Sequence, residues 1–397
     1  MAVRSRLRKV AAAATIASLL SVALVGLASA LSTAARPDVS LAAGPPLPDS
    51  QSSPMFDSFQ YEKGQALGTY VQFAYDSANG TVKSVLGLSK DLPVLYVGSI
   101  AISGFAPARG ESTVGSTFRA EGYLATITAH DDPTSLIEIR TDMARTVAIE
   151  LPADATNISL LAATGSWPAA TVLYSVGEEQ ARFLLGAGTF SVSGTRLVAR
   201  MSDSDLLVFK SVPPLTANRS EWQIVLDAIT AGRIVAEMNL VATSGGQWIQ
   251  NIVRYRIGLA AWALAVRPSA VAVQIDSLIP GGAVVLLSFD SATIPLGEPR
   301  RLVVKANGHE MDRTDDSLML LFANEGIRGA PRFAVLSLPG TALALYLPSL
   351  AAISIEVGSF LPPPRETAFD LGTEIAMIAA LGIVCVAAVR MLRGRLE

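Results

Sequence analysis

The sequence contains very few of the residues from which most catalytic and metal sites are built. Its 397 residues include one cysteine and two histidines. The cysteine, Cys385, lies in an apolar run near the C-terminal end, so the remainder of the chain is predicted to have no disulfide and no thiolate metal site. Stability must then come from a packed hydrophobic core, and a chain of this length is long enough to form one.

Charged residues are also scarce, at 16% of the chain against the usual quarter. There are 31 basic and 34 acidic residues, of which eight basic and one acidic lie in residues 1–36 and 390–397, so the middle of the chain has a net charge of −10. Nucleic acids and anionic lipids are bound by basic surfaces. We therefore expect no nucleic-acid partner.

Recognised nucleophile and metal motifs are missing from the chain. His309-Glu310 begins like the zinc-protease motif H-E-x-x-H, but Arg313 stands where the second histidine should be, and Asn307-Gly308 predicts a hairpin turn instead. The sequence contains neither a G-x-S-x-G elbow nor an S-x-x-K pair. We predict no catalytic, cofactor-binding or metal-binding residue.

Three further polar or glycine-rich stretches are interpreted as structural. His130 precedes Asp131-Asp132-Pro133, which favours an exposed histidine on a turn over a metal ligand or general base. Asp203-Ser204-Asp205 and residues 312–316 are predicted to be solvated turns, because they lack the ligand spacing of a calcium loop. Gly186-Ala187-Gly188 is interpreted as strand packing or a bulge.

Both ends of the chain carry membrane-type signals. Residues 1–30 combine four basic residues with a long apolar run ending in Ala28-Ser29-Ala30, which predicts a cleaved signal peptide or a retained signal anchor. Residues 373–390 are predicted to form a transmembrane helix, and residues 391–397 a basic cytoplasmic tail. The predicted membrane boundaries are Glu374 on one side and Arg390, Arg393 and Arg395 on the other. The positive-inside rule then places both ends of the unprocessed chain in the cytoplasm and the body outside.

The rest of the chain divides into five predicted regions. Residues 31–55 are expected to be a disordered linker and residues 361–372 a proline spacer. Two β-rich regions, 56–215 and 247–360, flank an amphipathic helix and connector at 216–246. The predicted fold class is mainly β, an antiparallel β-sandwich or barrel-like ectodomain with one amphipathic helix.

The β prediction rests on short alternating runs and turn signals. Ile137 and Ile139 alternate with charged neighbours, and Asn79-Gly80 and Asn307-Gly308 are strong hairpin signals. The helix is predicted over residues 221–240, since polar residues recur there at helical spacing after a capping residue at Asn218. Residues 333–355 carry no charge and are long enough to span a bilayer. However, Pro339-Gly340 interrupts the segment and its side chains alternate as in a strand, so a buried hairpin is favoured.

Three N-x-S/T sequons, at Asn79, Asn157 and Asn218, are candidate glycosylation sites. Turn and cap roles compete with that interpretation at Asn79 and Asn218. The layout of export signal, β-rich body, proline spacer, apolar helix and arginine tail resembles the architecture of membrane-anchored surface proteins of bacteria and archaea.

These features lead to one main functional expectation and two alternatives. We expect a non-catalytic, membrane-anchored extracytoplasmic protein whose partners are the lipid bilayer, through the C-terminal helix, and other envelope proteins or glycans. The alternatives are a membrane-tethered hydrolase with an atypical site and an accessory subunit of a membrane complex.

Overall fold

The computed structural model describes residues 59–89, 92–134, 136–162, 167–212, 219–243, 248–278, 281–296, 301–322, 329–338 and 341–360. All of them fall within one compact unit. They form four β-sheets, here called sheets I to IV, and two helices.

Residues 59–212 form a sandwich of two eight-stranded sheets in which every strand pair is antiparallel. Sheet I contains, in spatial order, β1 (Gln60–Glu62), β2 (Gln65–Leu67), β3 (Val71–Asp76), β4 (Thr81–Ser89), β5 (Leu92–Ile102), β10 (Arg145–Glu150), β15 (Arg196–Met201) and β14 (Gly188–Ser193). Sheet II contains β11 (Ala155–Ala162), β12 (Ala170–Val176), β13 (Glu179–Leu185), β16 (Asp205–Ser211), β9 (Ile137–Thr141), β8 (Ala125–His130), β7 (Thr117–Gly122) and β6 (Pro107–Val114).

The second sandwich follows helix α1 (Arg219–Thr230) and also contains the short helix α2 (Ser317–Phe322). Sheet III contains, in spatial order, β18 (Trp248–Arg254), β17 (Ile234–Ala242), β21 (Ala283–Phe289), β26 (Thr341–Leu347), β25 (Arg332–Leu336) and β24 (Asp312–Arg313). Sheet IV contains β19 (Leu259–Arg267), β20 (Ala270–Ser277), β27 (Ile353–Phe360), β22 (Arg301–Ala306) and β23 (His309–Glu310). Each of the four sheets is open, so the sandwich form of the prediction is the observed one.

Sheet III departs from the predicted antiparallel class. β17 pairs with β21 in parallel, and so does β24 with β25, while its other pairs are antiparallel. A parallel pair needs a crossover connection. Between β17 and β21 that crossover runs through β18, β19 and β20, two of which belong to sheet IV.

Three hydrophobic cores separate the layers. Core 1 lies between sheets I and II, and core 2 between sheets III and IV. Core 3 joins sheet II, α1, α2 and sheet III. Sheets II and III are therefore covered on both faces.

Strands with two buried faces explain the long apolar runs of the sequence. In β16, Leu207 points into core 1 while Leu206 and Val208 point into core 3. β26 is likewise buried on both faces, which accounts for the uncharged segment 333–355. The buried-hairpin interpretation of that segment is confirmed, because β25 and β26 pair in antiparallel register.

Both Asn-Gly turns are confirmed. Asn307 and Gly308 have φ angles of 49° and 79° and connect β22 to β23 as a two-residue hairpin. Asn79 lies in the turn between β3 and β4, where its side chain accepts a hydrogen bond from the amide of Thr81 (3.1 Å) and donates one to Asp76 (3.2 Å).

The predicted helix over residues 221–240 is too long, because α1 ends at Thr230 and β17 begins at Ile234. The helix ends through a tight turn in which the amide of Gly232 donates to the carbonyl of Ile229 (2.9 Å). Gly232 has a φ of 69°, which a side chain would strain, and it ends the helix as glycine commonly does.

Two elements within the predicted β-rich region 247–360 were not predicted individually. One is α2, whose first turn is capped by Asp316, since the Asp316 carboxylate accepts from the amide of Met319 (2.7 Å). The other is the alanine-rich strand β19, although it is nine residues long.

The predicted signal segment, linker, proline spacer, transmembrane helix and basic tail lie outside the described residues. Within the described part of the chain, neither helix has the length and apolar character needed to cross a bilayer.

Gly232 provides a test of how closely the two sandwiches approach each other. A Cβ atom at Gly232 would lie 1.9 Å from the carbonyl oxygen of Trp167, which belongs to the first sandwich. We expect Gly232→Ala to lower the free energy of unfolding by about 3 kcal/mol, from left-handed strain plus the clash. Urea unfolding of the full chain measures this cost.

Gly177 is the matched control for this substitution. It also has positive φ (59°), but a Cβ atom there would meet nothing within 4 Å. Gly177→Ala should therefore cost only about 1 kcal/mol. Equal costs at the two positions would contradict the close packing around Gly232.

Candidate functional site

Charged side chains meet inside core 3, where sheet II faces sheet III. Lys210 follows Leu206 and Val208 on the core 3 face of β16, and Glu237 lies on the corresponding face of β17. Both side chains are buried, at 3% and 6% exposure, and they form an ion pair. This pair connects the two sandwiches.

Tyr255 completes the pair. Its hydroxyl donates to Oε2 of Glu237 (2.6 Å), and the ammonium of Lys210 lies 3.4 Å from the same hydroxyl oxygen. Burial, followed by the charge of Glu237, raises the pKa of Tyr255 well above its ordinary value, so the phenol stays protonated. The Glu237 carboxylate therefore receives one ammonium and one hydroxyl donor.

Asp132 is the second acid beside Lys210. Its Oδ1 accepts from the amide (2.8 Å) and the hydroxyl (2.7 Å) of Thr134. Burial raises the pKa of Asp132, while the positive charge of Lys210 opposes that rise. Asp132 is therefore held by hydrogen bonds from Thr134, and Lys210 influences it through charge alone.

These groups surround a small cavity of about 30 Å³. It is lined by Asp132, Pro133, Thr134, Lys210, Trp222, Glu237, Asn239, Leu286, Ser288 and Leu338. Such a volume holds one or two water molecules. The cavity can solvate the buried charges, but it is far smaller than the 300–1,000 Å³ typical of a ligand site.

His130 lies in a neighbouring polar group at the same interface. Its Nδ1 is 3.3 Å from Oγ1 of Thr117, which in turn donates to Oδ1 of Asn251 in sheet III (2.8 Å). Because the threonine hydroxyl has one hydrogen, Nδ1 of His130 is the donor to it. His130 is 4% exposed, so the prediction of an exposed turn histidine is wrong.

Asp131, which is fully buried, anchors the turn between β2 and β3. Its carboxylate accepts from the backbone amides of Thr69 (2.8 Å), Tyr70 (2.8 Å) and Val71 (3.0 Å). Burial raises the pKa of Asp131 to about 6, although the three amide hydrogen bonds lower it. This aspartate holds distant backbone in place.

Asp205 plays the same role at another turn, so its prediction as a solvated residue is also wrong. Its carboxylate accepts from the amides of Ala187 (2.7 Å), Ser202 (3.0 Å) and Leu206 (2.6 Å). Gly186 lies next to it, and a Cβ atom there would lie 2.8 Å from Oδ1 of Asp205. The glycines around residue 187 thus allow close packing on a buried carboxylate.

An open groove lies between sheet II and α1, with a volume of about 320 Å³. Its apolar wall consists of Leu161, Leu173 and Pro168, and Arg182 also lines the groove. Nη1 of Arg182 donates to Oδ1 of Asp227 (3.1 Å) and to Oγ1 of Thr230 (2.6 Å). Half of the Asp227 side chain remains exposed, so the groove offers an acceptor beside an apolar surface.

The other predicted site residues are scattered. Asn79 and Asn157 are exposed on separate sheets, whereas Asn218, Glu374, Arg390, Arg393 and Arg395 lie outside the described residues. His309 and Glu310 are exposed on β23. In the predicted solvated turn at 312–316 the three aspartates are exposed, but its first two residues form β24. In the described part of the chain, no three His, Cys, Asp or Glu side chains are grouped closely enough to hold a metal ion.

Lys210, Glu237 and Tyr255 are not among the site residues predicted from the sequence. Glu237 lies within the predicted helix 221–240, whose polar spacing it continues, and Lys210 lies within the predicted β-rich region 56–215. The available signal was a single charge within each of two apolar strands, LLVFK and VAEMN. A lone charge in a strand buried on both faces requires a partner.

No protein-family model matches the chain, and no curated protein matches it. Among solved structures it is similar to an active YidC insertase whose first transmembrane domain is resolved, at 9% identity and a TM-score of 0.26. The match covers 44% of this chain and 46% of the insertase chain. A similarity this low carries no argument about fold or function.

The ion pair leads to a prediction about stability. Lys210→Met leaves the Glu237 carboxylate buried without its cation, and we expect this to cost about 3–5 kcal/mol of unfolding free energy. The triple variant Lys210→Met/Glu237→Leu/Tyr255→Phe removes all three polar groups and should return to within about 2 kcal/mol of the unchanged protein. Urea unfolding distinguishes these outcomes, and a triple variant as unstable as Lys210→Met would contradict the pairing.

Asp131 leads to a prediction about pH. A carboxyl whose pKa is raised from 3.8 to about 6 on folding contributes stability below its ordinary pKa, and this is lost as the pH rises through about 6. The unfolding free energy of the unchanged protein minus that of Asp131→Asn should therefore fall by about 2 kcal/mol between pH 4 and pH 7. A difference that grows with pH would mean that the three amides outweigh burial.

Proposed function

We propose that this protein is a membrane-anchored extracytoplasmic protein that acts by binding, or as part of the cell envelope, without catalysing a reaction. The anchor is the apolar segment 373–390, and the basic residues at both ends of the chain orient it. The two sandwiches form the extracytoplasmic body. Its binding partners are other envelope proteins or glycans.

The observation that carries this proposal is the difference in volume between the cavity beside the buried charges and the groove between sheet II and α1. The titratable side chains that meet, Lys210, Glu237 and Asp132, surround a cavity of about 30 Å³, and the first two form an ion pair. The groove of about 320 Å³ is lined mainly by aliphatic side chains and threonines, and the Asp227 carboxylate in it is paired with Arg182. The cavity beside the buried charges is thus too small for a substrate, while the groove is large enough to bind a ligand.

Orientation is tested with intact cells. Externally added protease should digest the body and leave a small C-terminal fragment in the membrane. Deletion of residues 375–397 should release the body into the medium. A full-length chain that resists protease until the cells are lysed would contradict the extracytoplasmic orientation.

Catalysis is tested with the full chain in detergent, incubated with labelled envelope glycans and peptides. We expect some ligands to be retained with unchanged mass, and we expect the triple variant Lys210→Met/Glu237→Leu/Tyr255→Phe to retain the same ligands. If the unchanged protein cleaves a ligand and the folded triple variant does not, the hydrolase alternative is supported and its site lies in core 3.

A further inference from the structure

The groove between sheet II and α1 contains a carboxylate of which only one oxygen is engaged. Asp227 accepts from Nη1 of Arg182 (3.1 Å) and from Nε2 of Gln223 (2.8 Å), and both hydrogen bonds go to Oδ1. Within the described part of the chain, Oδ2 of Asp227 has no hydrogen-bond partner. Asp227 lines the groove and half of its side chain is exposed, so Oδ2 is available to a ligand.

Arg182 holds this carboxylate in place from inside the body. Its side chain is only 2% exposed, and its Nη1 also donates to Oγ1 of Thr230 (2.6 Å), which in turn donates to the carbonyl of Leu226 (2.8 Å). The positive half of the Arg182–Asp227 pair is therefore buried, and the negative half is the part that solvent reaches. A ligand entering the groove meets an acceptor with negative charge.

Apolar side chains form much of the remaining groove. Leu161, Ala162 and Pro168 line it, together with Leu173 and Ala231. An apolar wall that leads to one charged acceptor matches a long side chain with a charged end, since the methylene stem of such a side chain packs on apolar surface while its head stays polar. The groove volume of about 320 Å³ accommodates a side chain of this length.

We propose that this groove binds a lysine side chain of a partner protein, whose ammonium donates to Oδ2 of Asp227 and whose stem lies against Leu161 and Leu173. The inference rests on the proposed function, because it names the class of partner that the groove binds.

Charge and hydrogen-bond geometry both favour lysine. The middle of the chain is strongly acidic, which attracts a basic partner. Arginine binds a carboxylate best through both oxygens at once, but Oδ1 of Asp227 is already engaged by Arg182 and Gln223. A single free oxygen suits the compact ammonium of lysine, which acts as a point charge.

Binding is tested by fluorescence anisotropy of the full chain in detergent, with labelled and end-capped pentapeptides in which glycines flank one central residue. A central lysine should bind about 10-fold more tightly than norleucine, which has the same stem without the ammonium. A central arginine should bind less tightly than lysine. Asp227→Asn should abolish the preference for lysine over norleucine, because it removes the negative charge and keeps an oxygen that can accept from Arg182.

The apolar wall is tested without changing the Arg182–Asp227 pair. Leu161→Ser should weaken the lysine and norleucine peptides alike, by about 3-fold. Leu160→Ser is the matched control, because Leu160 precedes it on β11 and is 50% exposed but does not line the groove. This control should leave both affinities unchanged. Circular dichroism establishes that each variant is folded.

Three results would overturn the inference. They are equal affinity for the lysine and norleucine peptides or binding of neither, an arginine peptide that binds as tightly as the lysine peptide, and a lysine preference that survives Asp227→Asn. The comparison of peptides on the unchanged chain decides the matter even if Asp227→Asn does not fold. The proposed function is judged separately, by whether the full chain retains envelope ligands with unchanged mass.

Discussion

Sheets II and III each have two apolar faces, and all four faces have to be covered. Sheet I covers one of them and sheet IV another, which leaves one face of sheet II and one of sheet III exposed unless they meet. Core 3 is that contact, with α1 and α2 packed into it. Because burial of apolar surface is the main favourable contribution to folding, neither sandwich is complete without the other.

The charged side chains of core 3 are buried in this apolar contact between sheets II and III. Burying Lys210 or Glu237 alone would be costly, and pairing them offsets the cost of removing both from water. A buried pair of this kind adds little net stability compared with apolar residues, but any alignment of the two sheets that separated the two charges would leave both buried and unpaired. Arg182 with Asp227, and Thr117 with Asn251, are further polar contacts across the same interface. Apolar burial therefore supplies the stability, and the polar contacts set the relative position of the sandwiches.

The sequence predicted local structure better than it predicted what lies between the layers. The alternation of apolar and charged residues in β9 was enough to predict a strand, and the two Asn-Gly pairs were enough to predict hairpin turns. Both features depend only on residues that are neighbours along the chain. The helix was extended too far because Arg233 and Glu237 happen to continue its polar spacing, although Gly232 marks its end. β19 was missed because alanine favours strands weakly.

The buried polar residues could not be assigned from the sequence. Lys210 and Glu237 are far apart among the strands, and which face each occupies depends on how the sheets stack. His130, Asp131 and Asp205 are found in turn-like sequences that are normally exposed to water. Here Asp131 and Asp205 accept hydrogen bonds from backbone amides, and His130 lies at the interface. Their burial follows from the tertiary structure, for which the local sequence contains no signal.

We expect core 3 to make the two sandwiches one cooperative unit. Differential scanning calorimetry of the full chain in detergent tests it most directly. A single transition in which the calorimetric and van't Hoff enthalpies agree, shifted as a whole by Lys210→Met, is the predicted result. Two separable transitions, of which the Lys210→Met substitution moves only one, would contradict the claim.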